Sequence, residues 1–236
     1  MSPSITANGS EEKVEGDRDR PPPHPSQPPK PSPLPPAPIE KIFHEKQLRQ
    51  MCALHSLNNL FQRADAFSKQ ELDRIASSLA PNSSLFNPHM SPFGFGNYDI
   101  NVVQMALQEK NFEAIWFNKS KDPSILNLEA IFGFILNIPN ENDLWKSIAT
   151  LFTASKRHWI TLKAVNSLFY NLDSKLKEPA LIGTAHHLVT YLRRSLTAEN
   201  NVEVFVIVSK EVAQDGSWMQ KQQSSTSETE NQNTSS

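Results

Sequence analysis

Apolar residues recur at helical spacing in the first part of the chain that carries a clear pattern, residues 52–107. The spacing of leucines predicts a helix over residues 52–62. Ser68 and Glu71 form an S-x-x-E capping box, which predicts the start of a second helix. Asp99 is suited to cap a third helix, because its carboxylate can accept hydrogen bonds from the first free backbone N–H groups.

Later in the chain the pattern changes to short apolar and β-branched runs that predict strands. These runs are Phe112–Phe117, Gly133–Ile138, His158–Val165, Leu168–Leu172 and Val202–Val208. A helix carrying Leu188 and Leu192 is predicted before the last run, and a short amphipathic helix between Pro139 and Arg157. Because helices come first and most strands follow, the order predicts an α+β fold rather than a parallel βαβ array.

Two of these runs form a predicted hairpin around Asn166-Ser167, and its loop length decides whether His158 meets Asp173. If Asn166 and Ser167 are the two loop residues, Ile160 lies opposite Asp173, and His158 lies two residues along on the same face. A four-residue loop would place His158 directly opposite Asp173, whereas a three-residue loop would put them on opposite faces. The alternative is an ordinary edge hairpin with a surface histidine and aspartate.

Composition sets the expected domain boundaries. Twelve of the 18 prolines lie before residue 39, and they predict a disordered Pro-rich leader over residues 1–39. A folded domain is expected over residues 40–212, followed by a disordered polar tail over residues 213–236. P-x-x-P spacing within residues 21–38 fits the ligands of proline-binding modules, and the alternative is a stiff leader without a ligand role.

Charge and cysteine content exclude several functional classes. With 23 Lys and Arg against 25 Asp and Glu, the net charge of −2 gives no electrostatic basis for binding nucleic acid or an anionic membrane. No apolar run approaches the length of a transmembrane segment, and the first twenty residues contain no secretory signal. Cys52 is the only cysteine, so no intramolecular disulfide can form, and we expect an intracellular protein, cytoplasmic with the nucleus as second compartment.

Cys52 is the first candidate for chemistry, because it begins the first periodic helix. Free N–H groups and the helix dipole favour an anion at that position, here a thiolate nucleophile. A thiolate needs an imidazole partner and a group that orients the ring, for which the hairpin offers His158 and Asp173. The alternative for a lone cysteine is a small buried hydrophobe.

Four other residues are further candidates for a role in the chemistry. Gln47 lies five residues before Cys52, where its side-chain amide is able to donate to a developing oxyanion beside the Cys52 backbone N–H. His55 is interpreted as structural, because a base so close in sequence leaves little room for a substrate carbonyl. The adjacent pair His186-His187 points in two directions on a predicted helix, so we expect no metal and no other cofactor.

Three sequence motifs resemble the Josephin family. The run Phe43-His44-Glu45-Lys46-Gln47-x4-Cys52-Ala53-x-His55-x-Leu57-Asn58-Asn59-Leu60 is similar to the opening signature of that family. His158-Trp159 and Asn171-Leu172-Asp173-Ser174 resemble its other two motifs in the same order. The resemblance covers roughly residues 40–210 and is nearest to the small Josephin-like branch. It implies a papain-like cysteine protease that removes ubiquitin, with N-terminal helices packed on a mainly antiparallel sheet.

Carried over by position, the resemblance implies Cys52 as nucleophile, His158 as general base and acid, Asp173 as the residue that orients His158, and Gln47 as oxyanion donor. Many papain-like enzymes, including the best-known Josephins, have Asn at the third position, whereas Asp173 matches the small branch. The implied partner is ubiquitin or a ubiquitinated protein, and we expect a monomer. The segment Pro139–Arg157 looks longer than in better-known members and is expected to shape the cleft.

Three functional hypotheses remain open at this stage. The first is a cysteine deubiquitinase that hydrolyses isopeptide, thioester or ester bonds at the ubiquitin C-terminus. The second is a catalytically weak ubiquitin-binding adaptor, and the third is a cysteine hydrolase or acyltransferase acting on another amide or ester. The set Gln47, Cys52, His158 and Asp173 favours the first hypothesis, because a pure binding protein does not need all four residues.

Overall fold

The computed structural model describes residues 41–47, 50–82, 87–90, 96–139 and 157–220. All of them belong to one compact unit, Ile39–Ser236. The leader predicted over residues 1–39 and the helix predicted between Pro139 and Arg157 lie outside the described residues, apart from the two ends of the latter segment.

Five helices are seen in this part of the chain, and the three predicted from early periodicity are among them. Their bounds are α1 Cys52–Phe61, α2 Lys69–Leu79, α3 Ile100–Gln108, α4 Ala185–Ser195 and α5 Lys210–Asp215. The predicted capping box is confirmed, because Ser68 and Glu71 bond each other's backbone N–H groups at the start of α2. Asp99 caps α3 as predicted. Among the described residues, no helix has the length and apolar character that a membrane crossing requires.

Within the described residues, six strands form one sheet in which every pairing is antiparallel. Their bounds are β1 Phe112–Trp116, β2 Gly133–Pro139, β3 Arg157–Val165, β4 Leu168–Asn171, β5 Ala180–Gly183 and β6 Glu203–Ser209. The order across the sheet is β1-β6-β2-β3-β4-β5, so the last long strand lies between β1 and β2. The five predicted runs are all strands, and β5 is an additional short edge strand. The α+β expectation is thereby confirmed.

Helices cover both faces of this sheet. One core cluster joins α1, α2 and α3 to inward side chains of the sheet such as Ile135, Trp159 and Ile207. The second cluster contains the alternate sheet residues, such as Leu136 and Ile160, together with Leu188 and other residues of α4. Because successive strand residues point to opposite faces, each central strand contributes to both cores. For this reason five consecutive residues in each of β2, β3 and β6 are buried.

The β3–β4 hairpin has the two-residue loop considered above. Val165 pairs with Leu168, which leaves Asn166 and Ser167 as the loop. Both have positive φ, 50° and 65°, as a type I′ turn requires. Extending the observed register places Ile160 opposite Asp173. His158 is therefore diagonal to Asp173 on one face of the hairpin, as that alternative predicted.

Ordered structure continues beyond residue 212, where the folded domain was expected to end. Helix α5 spans Lys210–Asp215, and the chain after it pairs with residues 125–127. The backbone N–H of Asn127 donates to the Trp218 carbonyl at 2.9 Å, and Gln220 N–H donates to the Ile125 carbonyl at 2.7 Å. Trp218 also packs against the second core. The packing of Trp218 and these backbone hydrogen bonds thus extend the domain to at least Gln220.

Candidate active site

Cys52 is the first residue of α1 and is 5% exposed. Its position is fixed from the N-terminal side, because Gln50 pairs with Gly96 in an isolated parallel bridge. Gly96 has φ of +94°, and a Cβ there would meet the Gln50 carbonyl oxygen at 2.5 Å. Glycine is therefore required for this close approach. The bridge holds the chain two residues before Cys52 against Gly96.

His158 and Asp173 are in direct contact. His158 lies on β3 and is 2% exposed, and Asp173 follows the end of β4. The His158 Nε2 lies 2.6 Å from Asp173 Oδ1. Since a carboxylate accepts, the shared proton sits on Nε2, which leaves Nδ1 as the ring nitrogen that can accept a thiol proton. Cys52 is near enough to the same ring to raise its pKa, through a side-chain hydrogen bond and through charge.

Charge around the ring favours imidazolium. Burial disfavours the charged ring, but hydrogen bonds to Asp173 and Cys52 and the attraction of their negative charge outweigh it, so the pKa of His158 is raised above its ordinary 6.5. For Asp173, burial acts against ionisation, but the hydrogen bonds from His158 and from the Lys175 backbone lower the pKa of this carboxyl below 3.8. The arrangement is thus able to hold a thiolate beside an imidazolium, with an ionised carboxylate behind it.

Short-range contacts fix the orientation of Asp173. Its Oδ1 accepts a second hydrogen bond, from the Lys175 backbone N–H at 2.9 Å. Its own backbone N–H donates to Asn171 Oδ1 at 2.9 Å. Tyr191 of α4 lies near this carboxylate, and burial and the negative charge of Asp173 raise the pKa of its phenol. Hydrogen bonds thus hold both the side chain and the main chain of Asp173.

Gln47 lies beside the same loop. Its backbone N–H donates to the Ser174 carbonyl at 2.7 Å, one residue beyond Asp173. Gln47 is half-buried, and only four residues separate it from Cys52 along the chain. The structure therefore brings Cys52, His158 and Asp173 together and places the Gln47 backbone against the loop that carries Asp173.

A buried hydroxyl pair ties α1 to β3. Thr161 Oγ1 donates to the Ser56 carbonyl at 2.6 Å, and the Ser56 and Thr161 hydroxyl oxygens are 2.7 Å apart. Both side chains are fully buried. Ser56 is one helical turn after Cys52, and Thr161 is three residues after His158. This contact fixes the spacing between the helix that carries the thiol and the strand that carries the ring.

Other candidate residues have structural roles. Trp159 is buried in the first core, and its indole N–H donates to the Tyr98 carbonyl at 3.0 Å. His55 Nδ1 lies 3.0 Å from Glu45 Oε1, which agrees with its structural interpretation. His187 caps the start of α4 through Thr184. Across the described ranges, no group of three His, Cys, Asp or Glu side chains is suited to hold a metal ion.

Sequence reasoning left the roles of His44, Glu45 and Asn59 unassigned. They form polar contacts between the chain before α1, the inner face of α1 and the loop around Asp173. Asn58 and Asn59 are both buried on a helix whose neighbours are apolar. A buried amide requires hydrogen-bond partners, so paired asparagines on an apolar helix face were the available signal.

Sequence comparison places the chain near one group of known proteins. The family model described as Josephin matches residues 47–208. A Josephin-like protein of Drosophila melanogaster is 47% identical over 170 residues, which are 72% of this chain and 75% of that protein. Josephin-2 of Homo sapiens is 40% identical over 178 residues, 75% of this chain and 92% of that protein. Ataxin-3 of Homo sapiens is 30% identical over 166 residues, 63% and 41% of the two chains.

Proposed function

The chain belongs to the Josephin family of papain-like cysteine proteases that remove ubiquitin, and from that premise we propose that it hydrolyses isopeptide, thioester or ester bonds at the ubiquitin C-terminus. The observation that carries the proposal is the direct contact between His158 Nε2 and Asp173 Oδ1 at 2.6 Å, with the Cys52 thiol against the same ring. A cysteine at a helix start, an imidazole and a carboxylate in this order make a nucleophile, a base and an orienting group.

In this proposal the reaction is an acyl transfer in two steps. The Cys52 thiolate attacks the carbonyl carbon of the last ubiquitin glycine, and His158 donates its proton to the leaving lysine amine as the C–N bond breaks. Water then attacks the thioester while His158 accepts its proton, and the carboxylate of ubiquitin and the free thiolate are released. Asp173 holds the ring in the orientation that both proton transfers need.

Gln47 is proposed as the oxyanion donor in both steps. Its backbone is fixed to Ser174, so its side chain starts from a defined point close to the Asp173 loop. An amide N–H and the Cys52 backbone N–H would together stabilise the negative oxygen of each tetrahedral intermediate. Loss of one such donor lowers kcat by about 100- to 1000-fold.

The proposed activity is tested with a ubiquitin probe that carries an electrophile at its C-terminus. We expect wild-type protein to form a covalent adduct, and the variant Cys52→Ala to form none while it still binds ubiquitin. Mass spectrometry and a binding titration measure the two outcomes. Thr161→Ser serves as a control for small changes near the site, because this variant keeps a hydroxyl at position 161 and the thiol of Cys52.

Each rival hypothesis predicts a different result in this assay. Ubiquitin binding without adduct formation by wild-type protein would indicate a catalytically weak adaptor. Neither binding nor an adduct would indicate a cysteine hydrolase or acyltransferase with another substrate. Hydrolysis of a ubiquitin amide at equal rates by wild type and Cys52→Ala would contradict the assignment of the nucleophile.

The Pro-rich leader is proposed as a second, separate binding element. Residues 21–38 lie outside the described residues, so the proposal rests on their P-x-x-P spacing alone. Binding of a proline-recognition domain to the full chain, and its loss when residues 1–38 are removed, would support it. We further propose that the protein acts as a monomer inside the cell, in the cytoplasm or nucleus.

A further inference from the structure

Three consecutive carbonyl oxygens around the acidic residue each accept a hydrogen bond from the N-terminal part of the domain. The Leu172 carbonyl accepts from Asn59 Nδ2 at 2.9 Å. The Asp173 carbonyl lies 2.9 Å from His44 Nε2. The Ser174 carbonyl accepts from the Gln47 backbone N–H at 2.7 Å. The main chain of the loop is thus held at every residue from 172 to 174.

Two of these three donors belong to residues 44–47, and this segment is itself bonded to α1. The Glu45 backbone N–H donates to Asn59 Oδ1 at 2.6 Å. The Glu45 carboxylate accepts from Asn58 Nδ2 at 2.8 Å and lies 3.0 Å from His55 Nδ1. Residues 44–47 therefore form a link whose one side bonds the helix that begins with Cys52 and whose other side bonds the Asp173 loop.

The loop needs this support because the sheet ends before it. Strand β4 stops at Asn171, and the last backbone hydrogen bond to β3 among the described residues is from Leu172 N–H to the Thr161 carbonyl at 2.8 Å. Asp173 lies one residue beyond that bond. Its carbonyl is held by an imidazole side chain rather than by a strand, and since a carbonyl only accepts, His44 Nε2 must carry the proton.

We propose that His44 is a positioning residue for the reaction: by bonding the Asp173 carbonyl, it keeps the Asp173 carboxylate aligned with the His158 ring. This inference rests on the proposed function, in which Asp173 orients His158. His44 itself is not expected to touch the substrate. Its loss removes one restraint on Asp173 and leaves the thiol, the ring and the carboxylate present but less well aligned, and misalignment lowers the rate of the chemical step.

Two nearly matched variants separate the hydrogen bond from mere bulk. In His44→Gln, the side-chain amide nitrogen reaches about as far as the imidazole Nε2, so the bond to Asp173 can be kept. In His44→Asn, the amide is one methylene shorter and does not reach. We expect kcat to stay within about twofold of wild type for Gln and to fall about tenfold for Asn, with KM little changed in both. His44→Ala should behave like His44→Asn.

A second readout does not depend on ubiquitin. Cys52 is the only cysteine of the chain, so alkylation by iodoacetamide reports on this thiol alone. A displaced carboxylate supports the His158 imidazolium less well, and the groups that face this ring are Asp173 and Cys52, with Lys175 beside the carboxylate. The alkylation rate at pH 6 relative to pH 9 should therefore fall in His44→Asn and remain as in wild type in His44→Gln.

His186→Ala changes an exposed histidine of α4 and should match wild type in both readouts. The inference is overturned if Gln and Asn at position 44 lose activity equally, or if His44→Asn lowers the melting temperature without changing the pH ratio of alkylation. If wild type fails to cleave ubiquitin, the proposed function fails, yet the alkylation ratios still decide the role of His44.

Discussion

At the scale of single residues, the site depends on the charge that Asp173 places behind His158. The contact at 2.6 Å and the raised pKa of His158 both describe an imidazolium stabilised by a carboxylate. An asparagine at this position would keep a hydrogen-bond acceptor for Nε2 but remove the charge. The two contributions, orientation and charge, are therefore separable by one substitution.

We predict that Asp173→Asn retains partial activity, with kcat/KM reduced by roughly tenfold. The pKa of His158 is raised by Asp173, so the imidazolium is present below that pKa and is lost as pH rises through it. Without the negative charge the pKa falls, and the alkaline decline of kcat/KM should begin at lower pH. A pH–rate profile of both proteins measures this shift.

The matched control for that prediction is Asp122→Asn. Asp122 bonds Arg193 on the exposed surface, so its loss should leave the pH profile unchanged. An unchanged alkaline decline in Asp173→Asn would show that charge does not set the pKa of His158. Complete loss of activity in a folded Asp173→Asn variant would show that an amide cannot orient the ring.

At the scale of elements, the β3–β4 hairpin was the part of the site that the sequence could predict in detail. Its register follows from loop length and the two-residue period of a strand, both of which are local. The position of β5 was not predicted, because Ala180–Gly183 has only four residues and no alternation of apolar and polar side chains. The contact between Cys52 and His158 was predicted as a requirement of the chemistry and through family resemblance, since no local rule relates α1 to β3.

We predict that Ser167→Gly stabilises the hairpin and with it the domain. Ser167 is exposed at φ of 65°, a conformation that costs about 1 kcal/mol for a residue with a Cβ and little for glycine. The free energy of unfolding should rise by roughly 0.5–1 kcal/mol in urea denaturation. Ser120→Gly, at an exposed residue outside the positive-φ set, should give no gain, and a gain as large as that of Ser167→Gly would refute this explanation.

At the scale of the whole molecule, the pattern of the chain predicted an α+β fold, but it predicted neither that helices cover both faces of the sheet nor how far the domain extends. Composition placed the C-terminal boundary at residue 212, because the following segment is mostly polar. The structure differs from that boundary. Trp218 packs against the second core, and the backbone of residues 217–220 forms hydrogen bonds with residues 125–127. Compositional averages give little weight to one large aromatic residue, and the contacts of this segment are made with residues about 90 positions away, such as Asn127 with the Ser217 carbonyl.

We predict that a chain ending at Val212 is less stable than one ending at Gln220. The shorter chain loses half of α5, the packing of Trp218 and the backbone bonds to residues 125–127. Partial burial of the Trp218 side chain together with these bonds contributes about 2 kcal/mol. Urea unfolding of the two truncated proteins measures the difference, with the full chain as reference. Equal stabilities would show that the C-terminal pairing contributes nothing.

The burial of Cys52, the only cysteine of the chain, also determines how oxidation can damage this protein. A disulfide brings two sulfur atoms to about 2.05 Å, so linking two copies of the chain would require both Cys52 side chains to leave their sites at once. Because Cys52 is only 5% exposed, formation of such a disulfide is suppressed. Small oxidants that reach the thiolate directly meet no such barrier and lead to sulfenic and then sulfinic acid. Ageing of the protein should therefore appear as a gain in mass of one or two oxygen atoms rather than as a covalent dimer.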